Sequence, residues 1–251
     1  MLTLSIETSQ PTGGVALVEE GDVVVELNVA LKATTYSRSL FLAIERVLEL
    51  SGCRYDGLSS IACSVGPGSF TGLRIGLSAA KGMAYSLGLP IIGVPCLDVM
   101  ARGVPARPGT RLCPMIDAKK RQVFTSIYEV TGQGGVNRIS PYMAVRADRF
   151  FKFIEVGDCC LLFGDGVRVY RKSLEASLKA QKAISPDNVI FIEEPHPPRP
   201  GLLGVMAQEA MRQGENRWIK DPFVLEPLYI RPSDAEIKRE GMDPTIFTGT
   251  Y

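Results

Sequence analysis

The chain has 251 residues, 45% of them hydrophobic and 22% charged, the make-up of a globular protein long enough to bury a core without disulfide or metal staples. A formal net charge of +1 excludes the strong basic excess of a stand-alone nucleic-acid binder. No apolar run reaches the roughly 18 residues that cross a bilayer, and the opening MLTLSIETSQ reads as a strand and not a leader, so a soluble cytoplasmic protein is expected.

The elements follow in chain order. Leu2 to Ile6, Val15 to Val18 and Val23 to Val29 read as three strands of an antiparallel meander, with turns at 8–14 and 20–22. Thr34 or Thr35 can cap a helix whose Leu40, Phe41, Ile44, Val47 and Leu48 share one face, and Gly52 ends it. Ser59 to Val65 is a buried strand that runs into Gly66-Pro67-Gly68-Ser69-Phe70-Thr71-Gly72. A second helix then reaches about Gly88, and Pro90 to Val94 is another strand. This order predicts an α/β unit with a mixed sheet, ending in the Pro-, Gly- and Arg-rich stretch 102–108.

A second unit opens in the same way. Arg111 to Asp117 is a strand ending in an acid, 118–121 a polar turn, and Gln122 to Val130 a return strand, just as Glu7 ends the first strand before its turn. The parallel points to an internal duplication. Helices are expected at 147–154, 166–180 and 202–212, the last returning to the first unit. The proline-rich segment 193–201 is extended loop, and 225–251 is expected to lie over the surface or to be partly mobile. The domain boundaries are 1–105, 106–200 and a returning helix and tail at 201–251.

Six cysteines, none in a CxxC pair, read as buried free thiols. The single histidine, His196, stands among prolines, so no metal or other cofactor is expected.

Several motifs carry two readings. GPGSFTG is either an anion cradle at a helix N-terminus or a tight turn capped by Ser69 or Thr71; it is not a Walker A sequence, since no Gly-Lys-Ser/Thr follows. In the helix after it, Gly72, Gly76, Ala80, Ala84 and Gly88 recur every four residues. Each interior glycine costs about 1 kcal/mol relative to alanine, so this ridge of small residues implies a close neighbour, either the protein's own sheet or a partner. Glu7 and Asp117, each at a strand end, could hold magnesium through water. Lys119-Lys120-Arg121 beside Asp117 would crowd a phosphate. That basic turn is either a solvated turn or a contact for RNA.

The string from Gly66 to Gly76, the opening LTLSIETS, IDAKKRQVF at 116–124 and EPLYIRP at 226–232 together resemble the TsaB (YeaZ) family, relatives of the catalytic TsaD family, over essentially the whole chain. The resemblance implies an ASKHA fold, the duplicated actin-like and hexokinase-like α/β architecture. It implies a non-catalytic subunit of the machinery that puts threonylcarbamoyl on the tRNA adenosine beside the anticodon. TsaB-like proteins pair with a TsaD-type paralogue, a TsaE-type ATPase joins them, and a homodimer forms when the subunit is alone. On this reading the first two helices dock the partner through Leu40, Phe41, Ile44, Gly72, Arg74, Gly76, Ala80, Met83 and Ala84. Gly66, Pro67, Gly68, Ser69, Phe70 and Thr71 form the signature loop, and Glu7 and Asp117 are vestigial nucleotide-site acids. Many relatives have Asp where this chain has Glu7, and the catalytic branch carries a metal-binding histidine pair on its first-domain helix where this chain has none. The alternative is a small actin-like ATP-dependent phosphotransferase. A peptidase, an older label in the wider family, lacks a serine elbow and a usable histidine here.

Overall fold

The computed structural model describes residues 1–30, 36–132, 134–155, 157–214, 219–231 and 245–249. The meander is present as β1 (Leu2–Glu7), β2 (Thr12–Glu19) and β3 (Asp22–Ala30). β1 is buried along its whole length, as a strand covered on both faces must be. It pairs antiparallel with β2 and parallel with β4 (Ser60–Gly66). β4 pairs parallel with β5 (Ile91–Pro95), which runs directly into the short helix α3 (Cys96–Arg102), and β13 (Ile219–Lys220) closes that edge, giving the order β13-β5-β4-β1-β2-β3.

Helices cover this sheet because its strands alternate their side chains between two faces. α1 (Tyr36–Ser51) buries Leu40, Ala43, Ile44, Val47 and Leu48. Its expected cap at Thr34 or Thr35 lies outside the described residues. α2 (Phe70–Leu87) starts at a Ser69 cap and stops at Gly88, which holds a left-handed φ of 65°. α5 (Pro200–Gln213) covers the opposite face, where odd-numbered residues of β1 point. Ser5 Oγ donates to the Pro200 carbonyl at 2.6 Å. Gln208 Nε2 lies 2.9 Å from Met1 O, Thr3 Oγ1 and Val18 O. Its Oε1 accepts the Gly21 amide at 2.8 Å. One buried amide thus satisfies backbone groups of two strands and the turn between β2 and β3.

The second sheet runs β12-β11-β6-β7-β10-β14, built from β6 (Arg111–Asp117), β7 (Gln122–Thr125), β10 (Tyr142–Arg146), β11 (Cys160–Phe163), β12 (Val189–Ile192) and β14 (Ile246–Gly249). β6 takes the place of β1: an acid-ended strand, antiparallel to the strand after it and parallel to β11. β11 leads into α4 (Asp165–Ala180) as β4 leads into α2. The duplication is therefore one of topology. The core of this unit gathers Met115, Val145, Phe150, Phe151, Leu162 and Leu174.

Three expectations need correction. The return strand expected over 122–130 is two strands, β7 and β8 (Tyr128–Val130), because the chain leaves the ladder at Ser126 and Ile127. There the Ile127 amide turns to Ser140 Oγ at 2.8 Å. β8 then pairs with the start of β6 and with β9 (Val136–Arg138). The helix expected at 147–154 is a 3-10 helix, Ala147–Phe153. The tail is not simply draped over the surface: Leu225, Leu228 and Ile230 are buried, and β14 pairs with β10. The tail at 232–244 lies outside the described residues.

The chain folds into two compact units. One is Met1–Val99 with Pro197–Leu228, and the other is Met100–His196 with Tyr229–Thr250. Four cysteines are buried, Cys53 is half-buried and Cys159 exposed. Among the described residues no helix is long and apolar enough to cross a membrane.

Gln208→Ala should cost about 2–3 kcal/mol in a denaturant titration, since it strands several buried backbone groups at roughly 1–3 kcal/mol for an unsatisfied group. A loss under about 0.5 kcal/mol would show that water replaces the side chain.

Candidate functional site

β1 ends at Glu7, whose side chain is 0% exposed. The Ser9 amide donates to its Oε1 at 2.6 Å, and Oε2 has no partner in hydrogen-bonding geometry. Burial raises the carboxyl from 4.5 to about 7, against the pull of the Ser9 hydroxyl and amide and the Ser64 hydroxyl. Desolvation favours the neutral acid, which is a poor ligand for a cation.

The signature loop closes over this strand end. Its Gly66–Pro67 peptide is cis. The Ser69 amide donates to the Ser9 carbonyl at 2.7 Å, the Gly72 amide to Ser69 Oγ at 3.2 Å, and Cys96 Sγ to the Pro67 carbonyl at 2.7 Å. A Cβ on Gly68 would run into the Ser9 carbonyl, so only glycine lets the two turns touch. Of the two readings of GPGSFTG, the structure bears out the capped turn, with Ser69 as the cap. The Ser9 carbonyl occupies one amide that an anion would use.

The ridge on α2 has the same explanation. Gly72, Gly76, Ala80 and Ala84 are all buried, and a Cβ on Gly76 would overlap the Thr8 side chain, with Thr8 Cβ only 3.1 Å away. The close neighbour is the protein's own β1 end. Leu40 and Ile44 on α1 are likewise buried. These residues, expected on sequence grounds to meet a partner, instead face their own unit, because a regular apolar stripe on a helix is the stripe that covers the sheet. Of the expected docking set, Phe41 and Arg74 are exposed and Met83 is half-buried. The Arg74 guanidinium lies 3.8 Å above the Phe70 ring.

Among the residues that α1 and α2 leave exposed, beside charged ones such as Arg38, Glu45, Arg46, Glu49 and Arg74, are large apolar side chains: Phe41 (47% exposed), Leu42 (55%), Leu50 (51%), Phe70 (53%) and Tyr85 (68%). Tyr85 packs edge-on against Phe223 with ring centroids 5.2 Å apart. A cleft of about 460 Å³ near the C-terminal ends of these helices is lined by Glu45, Leu48, Cys53, Arg54, Tyr55 and Leu87.

In the second unit, Asp117 is tied to its neighbours. Its Oδ1 accepts Tyr170 Oη at 2.7 Å and the Lys119 amide at 2.8 Å, and Oδ2 accepts Lys119 Nζ at 2.6 Å. Burial pushes this carboxyl up, but the Lys119 and Tyr170 hydrogen bonds outweigh it and hold it below its ordinary value. Burial and Asp117 together push the Tyr170 phenol up to about 12. Asp165, at the start of α4, accepts the Asp117 amide at 3.0 Å. The turn that follows is unusual: Lys119, Lys120 and Arg121 have φ of 62°, 51° and 64°. For residues with a Cβ each left-handed position costs roughly 1–2 kcal/mol. Sequence reasoning found Asp117 but not Tyr170 or Asp165; the available signal was Gly164-Asp165-Gly166, a second glycine-bearing strand-to-helix turn. Among the described residues no three His, Cys, Asp or Glu side chains gather to hold a metal ion.

Two measurements test this geometry. Glu7 has a folded pKa raised above its unfolded value, so the native state keeps an extra proton between pH 4.5 and about 7. Stability is therefore fullest below pH 4.5 with respect to this group and is lost as pH rises through about 7, by roughly 3 kcal/mol at most. Glu7→Gln, which cannot ionise, should gain roughly 2–3 kcal/mol on wild type between pH 5 and pH 8 by denaturant unfolding; parallel pH profiles would contradict a buried titrating acid. Gly76→Ala should destabilise by about 1–3 kcal/mol through overpacking on Thr8, and an unchanged melting temperature would mean that β1 and α2 are not so closely seated.

A family model described as TsaD: tRNA N6-adenosine threonylcarbamoyltransferase matches residues 30–239. The chain is 30% identical, over 95% of its own length and 97% of the other's, to the Bacillus subtilis (strain 168) protein named tRNA threonylcarbamoyladenosine biosynthesis protein TsaB. It is 34% identical to the Escherichia coli (strain K12) protein of the same name, over 51% of this chain and 55% of that one. The solved structure of YeaZ from Pseudomonas aeruginosa matches with a TM-score of 0.73 at 22% identity, covering 91% of this chain and 99% of that one. The two-sheet fold is shared with that YeaZ structure, and the chain belongs to the TsaB family.

Proposed function

We propose that this chain is a non-catalytic subunit of the machinery that makes threonylcarbamoyladenosine in tRNA, working in the cytoplasm by docking onto a TsaD-type transferase that a TsaE-type ATPase joins. One observation carries the reading: both strand-end acids are engaged within the protein. Glu7 is sealed, its carboxyl raised to about 7 by burial, and Asp117 is taken by Lys119 and Tyr170. A phosphotransferase of this architecture needs two acids that reach metal and phosphate. Docking is supported by the large apolar side chains that α1 and α2 expose, Phe41, Leu42, Leu50, Phe70 and Tyr85, since aromatic and other apolar groups are what the core of an interface takes up. The same side chains suit a second copy of the chain when the transferase is absent.

The test is co-purification with the TsaD-type protein of the same organism, followed by an assay of tRNA modification with and without this chain. Steady ATP turnover by this chain alone, abolished by Glu7→Ala or Asp117→Ala, would replace the docking role with an enzymatic one. Phe41→Asp should melt like wild type, because the ring is 47% exposed. It should weaken capture of the transferase at least about tenfold, the equivalent of 1.4 kcal/mol. Capture at wild-type affinity would remove α1 from the interface.

A further inference from the structure

The turn from Lys119 to Arg121 is held in a conformation that its own residues resist. Three long cationic side chains occupy successive left-handed positions, where glycine or asparagine would sit without strain. Merely solvated charges need no such backbone.

The turn is also fixed on every side by groups of its own unit. The Gln122 amide closes it onto the Lys119 carbonyl at 2.9 Å, and the Ala118 amide donates to the Gln122 carbonyl at 3.0 Å. The Lys119 amide is held by Asp117, whose own amide is held by Asp165. The Arg231 guanidinium reaches the Ala118 carbonyl at 3.4 Å. The Ala147 amide donates to the Arg121 carbonyl at 3.0 Å. Strain held by surrounding contacts is characteristic of functional positions, and a preorganised turn binds without first being ordered.

All three side chains are exposed. Arg146, paired with Asp148, stands opposite Gln122 across the β7–β10 ladder. Around the turn, Lys119, Lys120, Arg121, Arg146 and Arg231 outweigh Asp117, Asp148 and Asp165. In a chain whose net charge is +1, a local cluster of this kind is how a polyanion would be attracted. Lysine and arginine on a rigid turn suit phosphodiester oxygens, contacts that position a nucleic acid without reading its sequence.

We propose that the Lys119–Lys120–Arg121 turn is a phosphate-backbone contact for RNA, through which this subunit touches the tRNA directly. The proposal rests on the tRNA-modification reading above and adds to it a surface and its chemistry.

The test uses the full chain assembled with its TsaD-type partner and an unmodified tRNA transcript. Lys120→Glu with Arg121→Glu should lower tRNA affinity about tenfold or more. It should reduce the slope of log K against log salt by about one to two, as expected when phosphate contacts are removed. Lys120→Gly with Arg121→Gly removes the charges but relieves the left-handed backbone, so it should melt at or above the wild-type temperature while still binding tRNA more weakly. It answers the question even if the charge reversal fails to fold. Unchanged affinity and salt slope in the glycine variant would overturn the proposal. So would a charge reversal that releases the partner protein and spares tRNA, since the turn would then serve an acidic protein surface. A wild-type complex that forms and modifies tRNA, with variants that bind it equally well, would remove only the RNA contact. A wild-type chain that neither captures the partner nor supports modification would remove the underlying reading as well.

Discussion

The hydrogen bond from the Ser69 amide to the Ser9 carbonyl sets the character of the first unit. It exists because Gly68 and Gly76 remove the side chains that would hold the β1 end away from α2. Once the two turns touch, Glu7 loses access to water, the signature loop spends an amide on its own protein, and the ridge on α2 faces inward. Strand end, signature loop and helix ridge together become part of a packed core. The cost is a buried carboxyl with one oxygen unpaired, tolerated because desolvation keeps it protonated up to about pH 7.

The second unit closes the matching strand end by different means. Asp117 is not sealed by glycines but paired with a lysine and hydrogen-bonded by a phenol, with Asp165 fixing the backbone behind it. One topology thus reaches two local solutions, steric in one copy and electrostatic in the other. The electrostatic solution leaves its charged turn at the surface, which is why the more interesting exposed chemistry lies in the second copy.

Much of this was legible in the sequence. Short apolar runs between turn residues located β1 to β6, and GPGSFTG located both the start of α2 and its Ser69 cap, because local signals decide local structure. The acid at each strand end was visible as a parallel between Glu7 and Asp117. Side-chain direction was less legible. Leu40, Ile44 and Gly76 carry the pattern of a binding stripe, yet the same periodicity describes a stripe turned to the sheet; Phe41, grouped with that face in the sequence, is exposed instead, and Leu42 beside it has no pattern of its own. Tyr170 and Asp165 were missed because their partner is 53 and 48 residues distant, a separation that no local window spans. The break at Ser126 and Ile127 was hidden inside a run of strand-forming residues that pair with two different neighbours.

The return of α5 to the first sheet has a consequence for synthesis on the ribosome. Ala62, Ile92 and Val94 pack against Leu203, Met206 and Ala207, so one face of the sheet that emerges first stays uncovered until the helix near the end of the chain has been made. The segments 100–196 of the other unit emerge before that helix does. Vectorial folding usually completes N-terminal parts first; here the N-terminal sheet must wait, exposing apolar surface for much of translation. That interval is the time at which this protein is most open to chaperone capture or to misassembly.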